Sequence, residues 1–325
     1  MGLARGAIAL LMEEAVRQPF TGQIGTLGKQ TILIDAREAA RLSEKFGVKP
    51  GVSAAAGKSF DDQTLLKGIG FSEVHSIDYS NYEGATHTLD LNSGDLPTEF
   101  HESYDVILDS GTLEHVFHIP NVLKNIFQML KPGGRVIFLA PSSNHVDHGF
   151  YMFSPTFFSD YYAANGFRVE TACVVRYNLD LSQLWDVYDY RPGTWLDLSM
   201  GGLDERPYAI FFIATKVPGA RWDAIPQQGY YADNNPAYVG SNLAQNKTTT
   251  SPATDGIGPA GAPPRAPRPV SSESALRVMT RKIPGARRLY HAVRLAWAGL
   301  SGASAYVPTG KSDERLMRKP FRGQY

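Results

Sequence analysis

Two short, mostly apolar runs, separated by one stretch of helical periodicity, organise the middle of the chain. Tyr104 to Leu108 is the first run and ends at Asp109. Val122, Leu123, Ile126, Met129 and Leu130 then recur near helix spacing, and Val136 to Ala140 is the second run. Short, mostly apolar runs of this kind suit strands buried on both faces, and the spaced positions suit a helix that covers them. Parallel neighbours need such a crossover, so the unit predicted is strand–helix–strand in a parallel sheet. Pro132 and Gly133 stop the helix. Loops at the carboxyl ends of such strands are where open α/β sheets bind ligands.

The same reading extends outward. Residues 3–17 form an amphipathic helix rather than a signal peptide, because Glu13 and Glu14 follow the apolar start at once. Thr21 to Thr26 is a first strand, ending in Gly25-Thr-Leu-Gly28. Asp35 caps a helix over 36–46, and Asp61 to Gly68 is another helix. Val74 to Ile77 and 85–89 are strands, and Phe167–Tyr177 with Tyr208–Lys216 are the final antiparallel pair. Between these two lies an aromatic insertion, 178–206, with Trp185, Tyr188, Tyr190 and Trp195. Residues 241–272, rich in Asn, Thr, Pro, Gly and Ala, read as a flexible linker.

Composition changes the picture in one respect. The formal net charge is zero, yet residues 241–325 hold 14 basic and 4 acidic side chains, leaving 18 basic against 28 acidic before them. An acidic domain carries a basic tail. No basic groove is expected on the domain, so nucleic acid ranks last among partners. The single cysteine, Cys173, excludes an intrachain disulfide and suits a reducing compartment, the cytoplasm. No apolar run is long enough to span a bilayer, and Gly2 lacks the hydroxyl residue a myristoylation signal needs.

Asp109-Ser-Gly-Thr-Leu-Glu-His-Val116 followed by Leu130-Lys-Pro-Gly-Gly134 resembles the second half of class I S-adenosylmethionine (SAM)-dependent methyltransferases of the type 11-like group. The resemblance runs from about Phe20 to about Lys216 and is strongest from Gly68 to Phe158. It implies an α/β fold with a Rossmann-like, seven-stranded, mostly parallel sheet and an antiparallel final strand. A flexible linker and a C-terminal amphipathic helix would follow. The domains expected are 1–220 (methyltransferase), 221–272 (linker), 273–300 (basic helical segment) and 301–325 (basic tail).

The resemblance also implies a cofactor, SAM, and places for it. Gly25 and Gly28 would let the backbone approach the methionine moiety, although the family's glycine loop is denser. An ordinary strand-ending turn is the other reading. Asp78, ending the second strand, would accept from the ribose diol. Asp90 would accept from adenine, or form an Asx turn. Asp109, with Gly111 and His115 in the loop after it, would face the cofactor's amino group or the substrate, or else cap the following helix. Gly51 to Ser59, GVSAAAGKS, has one residue too many between its glycines for a phosphate-binding loop, which excludes nucleotide hydrolysis.

An alcohol acceptor needs a base. His145 and His148 follow the fifth strand beside Phe150, Tyr151 and Phe153, so they are the catalytic candidates, with His148 preferred. The other reading has them bind substrate or satisfy loop backbone. A metal site is not expected, since neither Cys nor carboxylate stands at a supporting spacing. Residues 286–300 place Leu289, Tyr290, Val293, Trp297 and Leu300 on one helical face and Arg287, Arg288, His291 and Arg294 opposite. That suits peripheral binding at the inner face of a membrane, or docking on a protein partner. The function expected is SAM-dependent methyl transfer to a small hydroxylated acceptor, such as a sugar. The alternatives are a degenerate methyltransferase fold serving as a recruited binding module, or a NAD-dependent oxidoreductase; the missing Gly-x-Gly-x-x-Gly counts against the last.

Overall fold

The computed structural model describes residues 2–55, 60–178, 184–229 and 319–325. In chain order the elements are β1 (Gly2–Leu3), α1 (Arg5–Arg17), β2 (Gln23–Leu27), β3 (Thr31–Ile32), α2 (Ala36–Phe46), α3 (Asp62–Gly68), β4 (Glu73–Asp78) and β5 (His87–Thr88). They continue with β6 (Tyr104–Ser110), α4 (Ile119–Met129), β7 (Leu130–Pro141), α5 (Pro155–Ala164), β8 (Arg168–Arg176), β9 (Asp186–Asp189), β10 (Tyr208–Thr215) and β11 (Phe321–Gln324). The caps act as their chemistry dictates. Asp35 accepts from the Glu38 amide at the head of α2, and Asp61 from the Thr64 amide at the head of α3.

One sheet holds nine of the strands, in the order β11-β9-β8-β10-β7-β6-β2-β4-β5. Strands β5, β4, β2, β6 and β7 are parallel neighbours, and β10 runs antiparallel between β7 and β8. Those seven are the expected sheet with its antiparallel member. Two more strands lengthen it beyond expectation. β9 comes from the aromatic insertion and pairs with β8, and β11 pairs with β9 at the edge. The segment 301–325 is therefore not tail throughout. Its end ties back to the domain, where Arg322 meets Glu13 at 3.3 Å and Asp189 at 3.5 Å. The packed chain also passes 220: Tyr161 donates to the Trp222 carbonyl and Asp160 accepts from the Gly229 amide. Residues 230–318, including the 286–300 face, lie outside the described residues.

Alternation along the strands builds a core on each face. Val106 and Leu108 pack with α1, α2 and α3, where Ala9, Met12, Ala39 and Leu65 are buried. Tyr104 and Ile107 point the other way, into a core with Val122, Ile126 and Met129 of α4 and Phe158 and Tyr162 of α5. Leu130 belongs to the start of β7 rather than to the helix. A buried ion pair joins α1 to the sheet. Arg135 Nη1 donates to Glu14 Oε1 at 2.8 Å and to the Gln18 carbonyl at 3.1 Å, and its guanidinium lies 4.6 Å from the centre of the Phe20 ring.

The topology sets the place for ligands. From β2 the chain steps outward to β4 and β5, then returns to β6 on the opposite side of β2. The two halves diverge between β2 and β6, which leaves a crevice at their carboxyl ends. Register brings those ends level, with Leu27 opposite both Ile77 and Asp109.

Candidate active site

Two cavities flank that crevice. The first, about 310 Å³, is bounded by Gly28 after β2, Asp78 and Tyr79 after β4, Asp90 to Asn92 after β5, and Thr112 and His115 after β6. Gly28 has φ of 77°, a left-handed turn that an unbranched backbone takes without strain. Its carbonyl accepts from the Thr26 hydroxyl and from Gln30 Nε2, and the Leu27 carbonyl accepts from the Thr112 hydroxyl at 2.6 Å. Side chains thus brace the sparse glycine loop. Gln30 Oε1 is left buried with no partner.

Asp78 lines this cavity and accepts from the Tyr79 amide at 2.7 Å through Oδ1. Asp90 also lines it, but Oδ1 is drawn into an Asx turn by the Asn92 amide, 2.9 Å away. Asn92 instead organises the wall, its Oδ1 accepting from the Phe117 and His118 amides. Asp109 is fully buried, and its Oδ1 accepts from the Thr112 and Leu113 amides at 3.0 and 3.1 Å. Burial, and then the charge of Glu114, push its carboxyl well above the usual range. Of the two roles weighed for Asp109, these bonds make it the cap of the turn. Gly25 sits inside β2 rather than in the loop. A Cβ there would come within 2.9 Å of Ile107 Cδ1, so its small size serves strand packing. The sequence counted Gly25 with the glycine turn that ends the strand, whereas the turn itself begins after Leu27.

The second cavity, about 210 Å³, lies on the other side of the Leu113–His115 turn. Ser110, Gly111, Glu114, His145, His148, Tyr177 and Trp185 line it, with Gly2 and Ala4 ahead of α1. Glu114 was not singled out from the sequence, although it stands beside His115 in the quoted motif. It is 1% exposed, and Oε1 lies 3.5 Å from His148 Nε2 and 3.9 Å from His115 Nε2. Oε2 is buried without a hydrogen-bond partner. Burial pushes the Glu114 carboxyl up, with His148 opposing that shift.

The 144–150 loop is fastened to Glu114. The Phe150 amide donates to the Glu114 carbonyl at 2.8 Å, and a Cβ on Gly149 would come within 2.8 Å of that same oxygen. His145 Nε2 and the Tyr177 hydroxyl are 3.0 Å apart. Burial and the neighbouring His148 depress the His145 imidazole, as they do that of His115. Tyr177 is held neutral, its phenol pushed up to about 12 by burial. His145 is therefore tethered, whereas His148 is half exposed and meets the carboxylate.

A third cavity, about 480 Å³, opens beside the 142–156 segment. Ser142, Ser143, Phe153 and Thr156 form one side, and Tyr190, Trp195 and Leu203 of the insertion form the other. The Thr156 and Tyr190 hydroxyls are 3.0 Å apart across it. Its size and its apolar walls with a few polar groups suit a small ligand.

Residues 55–172 match the family model described as a methyltransferase domain. No curated protein matches the chain. Solved structures with a similar fold include the N-methyltransferase NodS from Bradyrhizobium japonicum in complex with S-adenosyl-L-homocysteine. It is 10% identical, covering 65% of this chain and 86% of that one, with a TM-score of 0.36. Another is the 1,6-didemethyltoxoflavin-N1-methyltransferase of Burkholderia thailandensis, 13% identical over 66% of this chain and 78% of that one, with a TM-score of 0.33. At such scores the likenesses carry no weight beside the family match and the strand order. By those two findings residues 55–172 lie in a methyltransferase domain, set on a mostly parallel α/β sheet.

Proposed function

We propose that the protein transfers the methyl group of SAM to the oxygen of a small hydroxylated acceptor. The carrying observation is the Glu114–His148 contact on the wall of the second cavity, next to His115, which lines the cavity that holds Asp78. SAM supplies a sulfonium methyl that departs without acid catalysis. The residues fit it. Asp78 keeps lone pairs for a ribose diol, and Asp90 and Asn92 wall the adenine side. Gly111, on the second cavity, and His115, on the first, would stand near the methyl end of the cofactor.

On the acceptor side the chain excludes water and orients. The acceptor's reacting hydroxyl would sit in the second cavity beside His148, and Phe153, Tyr190 and Trp195, with the hydroxyls of Ser142, Ser143 and Thr156, would enclose its remainder. The acceptor's proton leaves toward His148, and Glu114 stabilises the resulting imidazolium. Orientation of this kind lowers a bimolecular barrier by about 7–11 kcal/mol, more than the base contributes.

Calorimetry with SAM and S-adenosylhomocysteine tests the cofactor half, and methyl transfer from labelled SAM to fractionated small molecules tests the acceptor half. No binding of either nucleoside at millimolar concentration removes the proposal. Labelled product that keeps its methyl on nitrogen would replace the hydroxyl acceptor with an amine.

A further inference from the structure

We infer that Glu114, His115 and His148 form a binding site for one divalent transition-metal cation, and that this cation grips the acceptor through oxygen. The inference deepens the acceptor reading above and rests on it for the second clause only. Among the described residues, these three are the one group of His, Cys, Asp and Glu whose ligand atoms all lie within 4.8 Å of one another. Zinc binds imidazole nitrogen at about 2.0–2.1 Å and carboxylate oxygen at about 2.0–2.2 Å, which sets neighbouring donors roughly 3–3.5 Å apart. The Glu114–His148 separation of 3.5 Å already meets that, and the Glu114–His115 separation of 3.9 Å needs only a small contraction.

Three further observations point to a cation rather than to chance proximity. Glu114 is 99% buried, yet Oε2 has no hydrogen-bond partner, a state that leaves a carboxylate poorly compensated. Among the described residues, its basic partners within ion-pair distance are His115 and His148. The 144–150 loop is also fixed onto the Glu114 backbone through the Phe150 amide and the close approach of Gly149. That fastening presents His148 to the carboxylate. Both imidazoles are partly exposed, at 41% and 52%, so solvent and ligand can reach the far side.

Two imidazoles and one carboxylate, with positions left open, suit zinc, iron(II), cobalt or manganese rather than magnesium or calcium, which prefer oxygen donors throughout. Two of the three ligands, Glu114 and His148, line the cavity shared with Ser110, Gly111 and Trp185. An acceptor with a hydroxyl beside a second oxygen would chelate there. Bound so, R–OH loses its proton to solvent, because a cation lowers the pKa of a ligated hydroxyl. The oxygen lone pair then forms the O–CH3 bond as the S–CH3 bond of SAM breaks, and the sulfur keeps that electron pair. The products are R–OCH3, S-adenosylhomocysteine and one proton, and the cation keeps its oxidation state. The cation thereby takes over the activating role given to His148 in the metal-free protein.

The test uses the full chain, stripped with a chelator and titrated with Zn²⁺ by calorimetry and with Co²⁺ by visible absorption. One equivalent should bind to wild type. Glu114→Gln and His148→Ala should each weaken binding about tenfold or more, with the melting temperature tracked in parallel. His148 is half exposed, so its variant keeps the experiment decisive if Glu114→Gln unfolds. Acetohydroxamate, a small bidentate oxygen ligand, should then change the Co²⁺ spectrum of wild type. No saturable cation binding, or equal binding by wild type and His148→Ala, overturns the site. An unchanged spectrum with acetohydroxamate overturns the oxygen-chelating acceptor. SAM calorimetry on the same stripped protein judges the cofactor reading separately. Cation binding without SAM binding leaves the metal site standing and removes methyl transfer. SAM binding without cation binding does the reverse.

Discussion

Asp78 is where the cofactor reading is most exposed to measurement. Its carboxylate ends β4 at the rim of the 310 Å³ cavity, and one oxygen already accepts from the Tyr79 amide. A carboxylate oxygen has two lone pairs, so that bond leaves room for both hydroxyls of a ribose. Each hydrogen bond to a charged acceptor is worth about 1.5–3 kcal/mol. Asp78→Ala removes both, roughly 3–6 kcal/mol, or between about 10² and 10⁴ in Kd. Asp78→Asn keeps one carbonyl acceptor and loses the charge, so a decrease of about tenfold is expected. Stability should barely follow. The one intramolecular bond lost, to the Tyr79 amide, lies at the protein surface and contributes about 0.5–1.5 kcal/mol. Isothermal calorimetry with SAM and S-adenosylhomocysteine, beside thermal melts of the three proteins, makes the comparison. Affinities within threefold of wild type for Asp78→Ala would refute the assignment of the cavity to adenosine.

Other consequences are equally open to test. Gly149→Ala should drive the 144–150 loop off the Glu114 carbonyl, because the new Cβ would stand 2.8 Å from it; SAM affinity should hold while cation affinity falls about tenfold, read by calorimetry. Arg135→Met should destabilise the fold by about 1.5–3 kcal/mol in urea titration, since it removes a charged hydrogen bond from the buried Glu14, which keeps Arg17 at 2.7 Å. Asp204 is raised by burial but more strongly lowered by Arg206 and Tyr208, so its folded carboxyl lies below the ordinary range. Its contribution is therefore present above the unfolded pKa of about 4 and lost as pH falls through the folded value, and Asp204→Asn should flatten stability against pH in that acidic window. Removing 319–325 should lower the melting temperature, since it takes away β11, the Arg322–Glu13 pair and the buried Tyr325, whose ring alone is worth about 1.5–3 kcal/mol. A test of membrane binding by 286–300 accordingly calls for an internal deletion that keeps β11, with cosedimentation on anionic liposomes at low and high salt. Liposome binding unchanged by that deletion would remove the membrane reading of the segment.

Local chemistry alone determined most of the scaffold. Period-two and unbroken apolar runs marked β2, β4, β6, β7, β8 and β10, and Asp35 and Asp61 marked the heads of α2 and α3, because strand pleat and helix caps are set by residues close in sequence. The quoted motifs carried the family, and the strand ends carried Asp78 and Gly28. Other features needed residues far apart in the chain. Gly25 read as a loop glycine until the register showed Ile107 and Tyr104 against it, since packing across strands leaves no local trace. Asp109 had two readings, and only the approach of the Thr112 and Leu113 amides, with complete burial, decided for the cap. Phe321–Gln324 has no apolar pattern of its own and became a strand because β9 offered an unpaired edge. The Glu114–His148 contact joins residues 34 positions apart. It exists because β6 and β7 end side by side in a parallel sheet, which delivers the loops after both strands to the same edge.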